Sequence, residues 1–196
     1  MEAKAKLFGH PVHQMLIVFP LGLLATAIVF DGIRVFTGND YWGEISYWLI
    51  AAGILGGLLA APFGLLDWMK IPAATRAKRI GLLHGAGNLL VVLLFAASWW
   101  LRRDDPRAPE TLALALALIG AALALVTGWL GGELVDRLGV GVDDGAHLDA
   151  PSSLAGRVTH PAARGIKGGG CVLVKYPRRR VPPWPIAPSP STVPRS

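Results

Sequence analysis

The chain has 196 residues, 53% of them hydrophobic and only 16% charged, with a mean hydropathy of +0.47; soluble domains carry about a quarter charged residues, so the composition excludes an ordinary one. The net charge of +6 misleads, because residues 1–150 hold 11 Lys/Arg against all 13 Asp/Glu, whereas residues 151–196 hold 8 Lys/Arg and no acid. The basic balance therefore belongs to the tail and gives no ground for nucleic-acid binding, and Cys171, the one cysteine, excludes an internal disulfide or a cysteine-based metal site.

In chain order, four apolar stretches reach the roughly 20 helical residues that a hydrocarbon core of about 30 Å requires. They cover residues 15–36, 45–68, 80–101 and 111–130. The polar links between them are short, TGNDYWGE, MKIPAATRAKR and RRDDPRAPE, and force each helix antiparallel to the one before it. The expected fold is all-α: an up-down-up-down four-helix transmembrane bundle over residues 1–142, then a loop and a disordered, basic Pro/Gly/Arg-rich tail over 143–196. A cleaved signal peptide competes for the first stretch, with Lys4 and Lys6 before it and Ala25-Thr26-Ala27 as the cleavage site. The apolar run continues past that point, and cleavage would discard two histidines, so a retained span is the preferred reading. Lys and Arg near the helix ends favour both termini in the cytoplasm. Trp42, Trp48, Trp99 and Trp100 mark one interface, and Trp68 and Trp129 the other.

Helices in lipid approach closely where small residues allow it. Gly120, Ala124, Gly128 and Gly132 form such a stripe on the fourth helix, Gly53/Gly57 and Gly56/Ala60/Gly64 lie on the second, and Gly81, Gly85 and Gly87 open the third. Pro20 and Pro62 are expected to kink their helices. Asp67 continues the stripe of the second helix and should point into the bundle.

Antiparallel threading gathers the polar residues at one membrane face: His10 and His13 at the start of the first helix, Asp67-Trp68 at the end of the second, His84 and Asn88 early in the third, Trp129 and Glu133 at the end of the fourth. The two hairpins echo one another here, each beginning with histidine and ending near a Trp–carboxylate pair, although the likeness falls short of a repeat. Ionisable residues in spans usually face the bundle interior or a cavity, which makes this the candidate site. Bland readings stand beside it. His10-Pro11 suits a helix start, His13 suits a place among headgroups, His84 with Asn88 suits a packing pair, Glu133 suits an ion pair with Arg137 one turn on, and Asp31 with Arg34 is a similar local pair at the far face.

Three functions fit this constellation. The leading one is a bound haem b or divalent metal in a redox-associated role, with His13 and His84 as ligands and Asp67 orienting one of them. A proton-linked relay of His13, Asp67, His84 and Glu133 ranks lower, because no charged residue lies at the midplane. The third is a non-catalytic subunit that binds a partner, either a second copy or a redox protein. Catalytic motifs are missing: the sequence has no HExxH, CxxC or phosphate loop.

The stretches GHPVHQMLIVFPLGLLATAIVFD, FGLLDW, HGAGN and GWLGGELV together resemble a family of small bacterial four-helix membrane proteins of unknown function, over roughly Gly9 to Val142. The resemblance implies the fold, a bacterial inner-membrane location, and the motif positions His10, Pro11, His13, Asp67, Trp68, His84, Asn88, Gly131, Gly132 and Glu133. It implies no activity. The tail departs from the pattern, and its Arg178-Arg179-Arg180 cluster could touch anionic lipid.

Overall fold

A computed structural model describes residues 1–155; the expectations of a disordered tail and of a lipid-binding arginine cluster fall largely or wholly outside those residues. A two-residue ladder pairs β1 (Lys6–Leu7) with β2 (His10–Pro11), and the turn between them uses positive φ at Phe8 and Gly9. Five α-helices follow: α1 (Val12–Leu16), α2 (Val18–Thr37), α3 (Tyr41–Lys70), α4 (Arg76–Leu101) and α5 (Thr111–Gly132), the last continued by a π-turn at Glu133–Arg137. α1 and α2 form one span, so four spans are long and apolar enough to cross a membrane. Their large side chains face outward, as with Leu125 at 77% exposure, whereas Phe95 at the centre is fully buried. That inside-out distribution is what a lipid surround permits.

The prolines act differently. Pro20 cannot donate to Leu16, and the helix breaks one turn before it, at Ile17, between α1 and α2. Its ring rests on Gly56 and Gly57 of α3, so the small residues opposite accommodate the bend. Pro62 leaves α3 continuous.

α2 packs on α3, and α4 on α5; the two hairpins then meet through α3 against α4 and α2 against α5. The core holds Leu24, Ala27, Ile50, Val91, Phe95 and Ala117. Its composition reveals a repeat that the sequence conceals. Asp31 and Arg102 are 71 residues apart, and the same step takes His13 to His84, Leu24 to Phe95 and Ala27 to Ser98. In the second helix of each hairpin a step of 67 takes Ser46 to Ala113, Ile50 to Ala117, Gly53 to Gly120, Ala60 to Thr127 and Gly64 to Gly131. Apart from the partly buried histidines and the Gly64/Gly131 pair, all these residues are buried. Contacts recur with them: Leu24 covers Gly53 as Phe95 covers Gly120. The hairpins are therefore two copies of one packing unit about a pseudo-two-fold axis along the bundle.

The contacts also correct the expected stripe on the fourth helix. Gly120 meets Phe95 and Gly131 meets His84, whereas Gly128 has nothing within 4 Å. The inward face of α5 runs Ala113, Ala117, Gly120, Ala124, Thr127, Gly131, in alternating steps of four and three, because a strict four-residue step drifts around a helix of 3.6 residues per turn.

Candidate functional site

Both histidines of the first turns are held by the neighbouring helix of their own hairpin. His13 Nδ1 lies 3.1 Å from the Ala60 carbonyl oxygen, and His84 Nδ1 lies 2.8 Å from that of Thr127. A carbonyl only accepts, so in both rings Nδ1 carries a proton and Nε2 takes no part in that bond. Each ring also lies on a glycine one turn beyond the carbonyl that it binds. A Cβ at Gly64 would come 2.7 Å from His13 Cε1, and one at Gly131 would come 3.1 Å from His84 Cε1. The repeat thus extends to the imidazoles: same partner position, same donating nitrogen, same glycine seat.

The surroundings of His84 are the more polar. Asn88 Nδ2 donates to the His84 carbonyl at 2.9 Å and lies 3.4 and 3.2 Å from the two ring nitrogens. Near-equal distances put the amide against the ring rather than along the Nε2 lone pair. Asn88 Oδ1 accepts from Thr127 Oγ1 at 3.0 Å, tying α4 to α5 beside the imidazole. Thr127→Val keeps the shape and removes that bond. Interhelical hydrogen bonds in membranes average about 0.6 kcal/mol, so a loss near that size is expected in SDS-titration unfolding from mild detergent, with the fold retained.

The other expected site residues are engaged elsewhere. Asp67 Oδ1 accepts from the Lys4 backbone N–H at 2.6 Å and makes no described bond to an imidazole; the sequence placed it inward because it could not show the N-terminal segment folding back over the bundle end. Glu133 pairs with Arg76 at 2.8 Å rather than with Arg137, since the π-turn shifts the helical register on which a one-turn pairing depends. His10 is exposed and lies 3.4 Å from Ser153 Oγ. Among the described residues no group of three or more His, Cys, Asp or Glu side chains converges as a metal cluster.

A strap covers this end. Lys70 Nζ donates to the Glu2 carbonyl, Val12 N–H to the Ala5 carbonyl, and Lys6 pairs with Glu2 and Asp143. Ala3 and Ile71 are buried at the end of the bundle. Asp143 is held below the ordinary carboxylate range, first by the Gly145 N–H and then by Lys6. Its share of the anchoring is present at neutral pH and is lost as the pH falls through that lowered value. Trp68 is fixed beside the strap: its Nε1 donates to the Lys78 carbonyl, and the Lys78 ammonium sits 3.9 Å from its ring centre while donating to the Trp68 carbonyl.

The far end holds a cluster that sequence reasoning missed. Arg102 is fully buried and grips Asp31 through two bonds of 2.7 Å, Nη1 to Oδ1 and Nη2 to Oδ2. Nη1 also donates to Ser46 Oγ and Nε to Ser98 Oγ, both at 3.2 Å, and Ser98 in turn donates to the Ala113 carbonyl. The cluster joins all four spans. Asp31 does not pair with Arg34, which instead reaches Asp40 and the Arg107 carbonyl. The two side chains leave α2 in different directions: Asp31 is buried and Arg34 points towards the loops. A signal was present in the sequence, because Arg102 stands to Asp31 as His84 stands to His13.

Between the two ends the bundle is filled by the apolar core of Leu24, Ala27, Ile50, Val91, Phe95 and Ala117. The family model described as Predicted membrane protein (DUF2231) matches residues 9–144. No curated protein and no solved structure matches the chain.

Proposed function

The chain belongs to this family of predicted membrane proteins, and from that premise we propose that His13 and His84 hold a haem iron or a divalent metal ion in a redox-associated role. The observation that carries the reading is the Nδ1–carbonyl contact shared by the two rings. Metal-binding histidines typically donate one ring N–H to a carbonyl or carboxylate, which orients the ring and leaves the other nitrogen to ligate. Both imidazoles meet that condition, through Ala60 and Thr127. With Asp67 and Glu133 engaged elsewhere, the donor set is two imidazoles. This donor set would suit a haem iron, which two imidazoles can hold, better than a metal that needs three protein ligands. Asn88 fixes the His84 ring. The orientation that fits the Lys and Arg distribution has both termini in the cytoplasm of a bacterial inner membrane, which would present the histidine end to a cytoplasmic redox partner.

A second reading rests on the same contacts. A ring on a glycine, bonded to a carbonyl of the next helix, is also a packing staple, and the protein would then be a non-catalytic subunit that binds a partner. An absorption spectrum separates the two. After expression with ample haem, the detergent-purified protein is expected to show a Soret band and a sharp reduced α-band, or stoichiometric metal by elemental analysis. His13→Ala and His84→Ala should each lose it while remaining folded by circular dichroism. A colourless, metal-free protein would leave the staple reading.

A further inference from the structure

The pseudo-two-fold arrangement creates an ambiguity that the apolar contacts do not resolve. Each hairpin packs on the other through equivalent positions, so hairpin one of one chain could pack on hairpin one of a second copy with nearly the same shape. Leu24 and its equivalent Phe95 meet in one core, as do Ile50 and its equivalent Ala117. What distinguishes the halves at the axis is charge. Asp31 and Arg102 are equivalent by the repeat, yet they are opposite in sign and bonded to each other.

We infer that the Asp31–Arg102 pair is a pairing code that joins unlike hairpins and rejects like ones. Hairpin one against its own copy would bury two Asp31 carboxylates together; hairpin two against its own copy would bury two Arg102 guanidiniums. Both arrangements leave desolvated like charges without partners. A buried polar group at one interfacial position is a known way to fix which helices associate, and discrimination by a repulsive alternative is its general logic. The serines belong to the same device: Ser46 and Ser98 take donors that the carboxylate leaves free, and their equivalents Ala113 and Ala27 have no hydroxyl. The polar cradle is therefore built once, for one arginine in one hairpin.

The test uses the full chain in two differently tagged copies, co-expressed and solubilised in mild detergent. Charge is removed with Asp31→Leu/Arg102→Met, which should accumulate as a helical protein, while pull-down of one tag by the other rises several-fold over the natural chain. Accumulation without that rise overturns the inference. A second arm decides the matter if the neutral pair does not accumulate. Asp31→Arg alone and Arg102→Asp alone place like charges within each chain, and each is expected to fail to accumulate. Expressed together, they can satisfy every pair between chains and should be recovered as a mixed complex. Failure of co-expression to rescue either one counts against a pairing code and in favour of a purely local structural role.

Discussion

Arg102→Leu is expected to destabilise the bundle by about 3–5 kcal/mol, the range found when one partner of a buried ion pair is removed. The Asp31 side chain is only 9% exposed, so without the guanidinium its charge stays in a low-dielectric site with no counter-ion. Ser46 and Ser98 lose a donor at the same time. The pair as a whole need not stabilise, because desolvating two ions offsets their attraction. Asp31→Leu/Arg102→Met should therefore recover most of the loss. SDS-titration unfolding of the two singles and the double gives the coupling directly. Arg103→Leu is the control. Arg103 is exposed and lies over Trp100 at 4.1 Å, so its removal should change stability by no more than about 0.5 kcal/mol. Equal losses for Arg102→Leu and Arg103→Leu would mean that the cluster is not buried in the membrane-embedded protein.

The second large effect is steric. Gly64→Val and Gly131→Val place branched side chains where the imidazoles lie. Overpacking of this kind costs about 1–3 kcal/mol, and both substitutions should also release the ring from its carbonyl. On the cofactor reading each would lose the Soret band as fully as the histidine variant does, although no ligand has been changed. Gly128→Val supplies the contrast, since nothing lies within 4 Å of that glycine. Thermal unfolding of the three variants in one detergent checks the ranking. If Gly128→Val matches Gly131→Val, the even four-residue stripe would be the true inward face of α5.

The contrast shows where sequence reading succeeds and fails. Span number and alternation follow from length and apolarity, because lipid imposes both on any chain that crosses it. The gathering of His13, His84, Asn88 and Glu133 at one end follows from threading alone. Rotation about a helix axis is harder. Gly128 and Gly131 differ by less than one turn, and only the partner helix reveals which of them is covered. Pairings of Asp31, Asp67 and Glu133 were assigned to the nearest opposite charge or the inward stripe. The fold overrides that choice by bringing Arg102, the Lys4 amide and Arg76 closer in space. The repeat was hidden because identity holds at few of its positions, His13/His84, Gly53/Gly120 and Gly64/Gly131, while the others differ: Leu for Phe, Ala for Ser, Asp for Arg.

The last of these differences bears on what one chain can hold that two identical hairpins cannot. A single gene product that assembled from two identical hairpins would have the same residue on both sides of the axis, whether acid with acid or base with base. Asp31 facing Arg102 is open only to halves that have become separate sequences within one chain. The glycine seats and the histidines could serve a hairpin that pairs with its own copy, whereas the ion pair requires two hairpins that cannot replace each other.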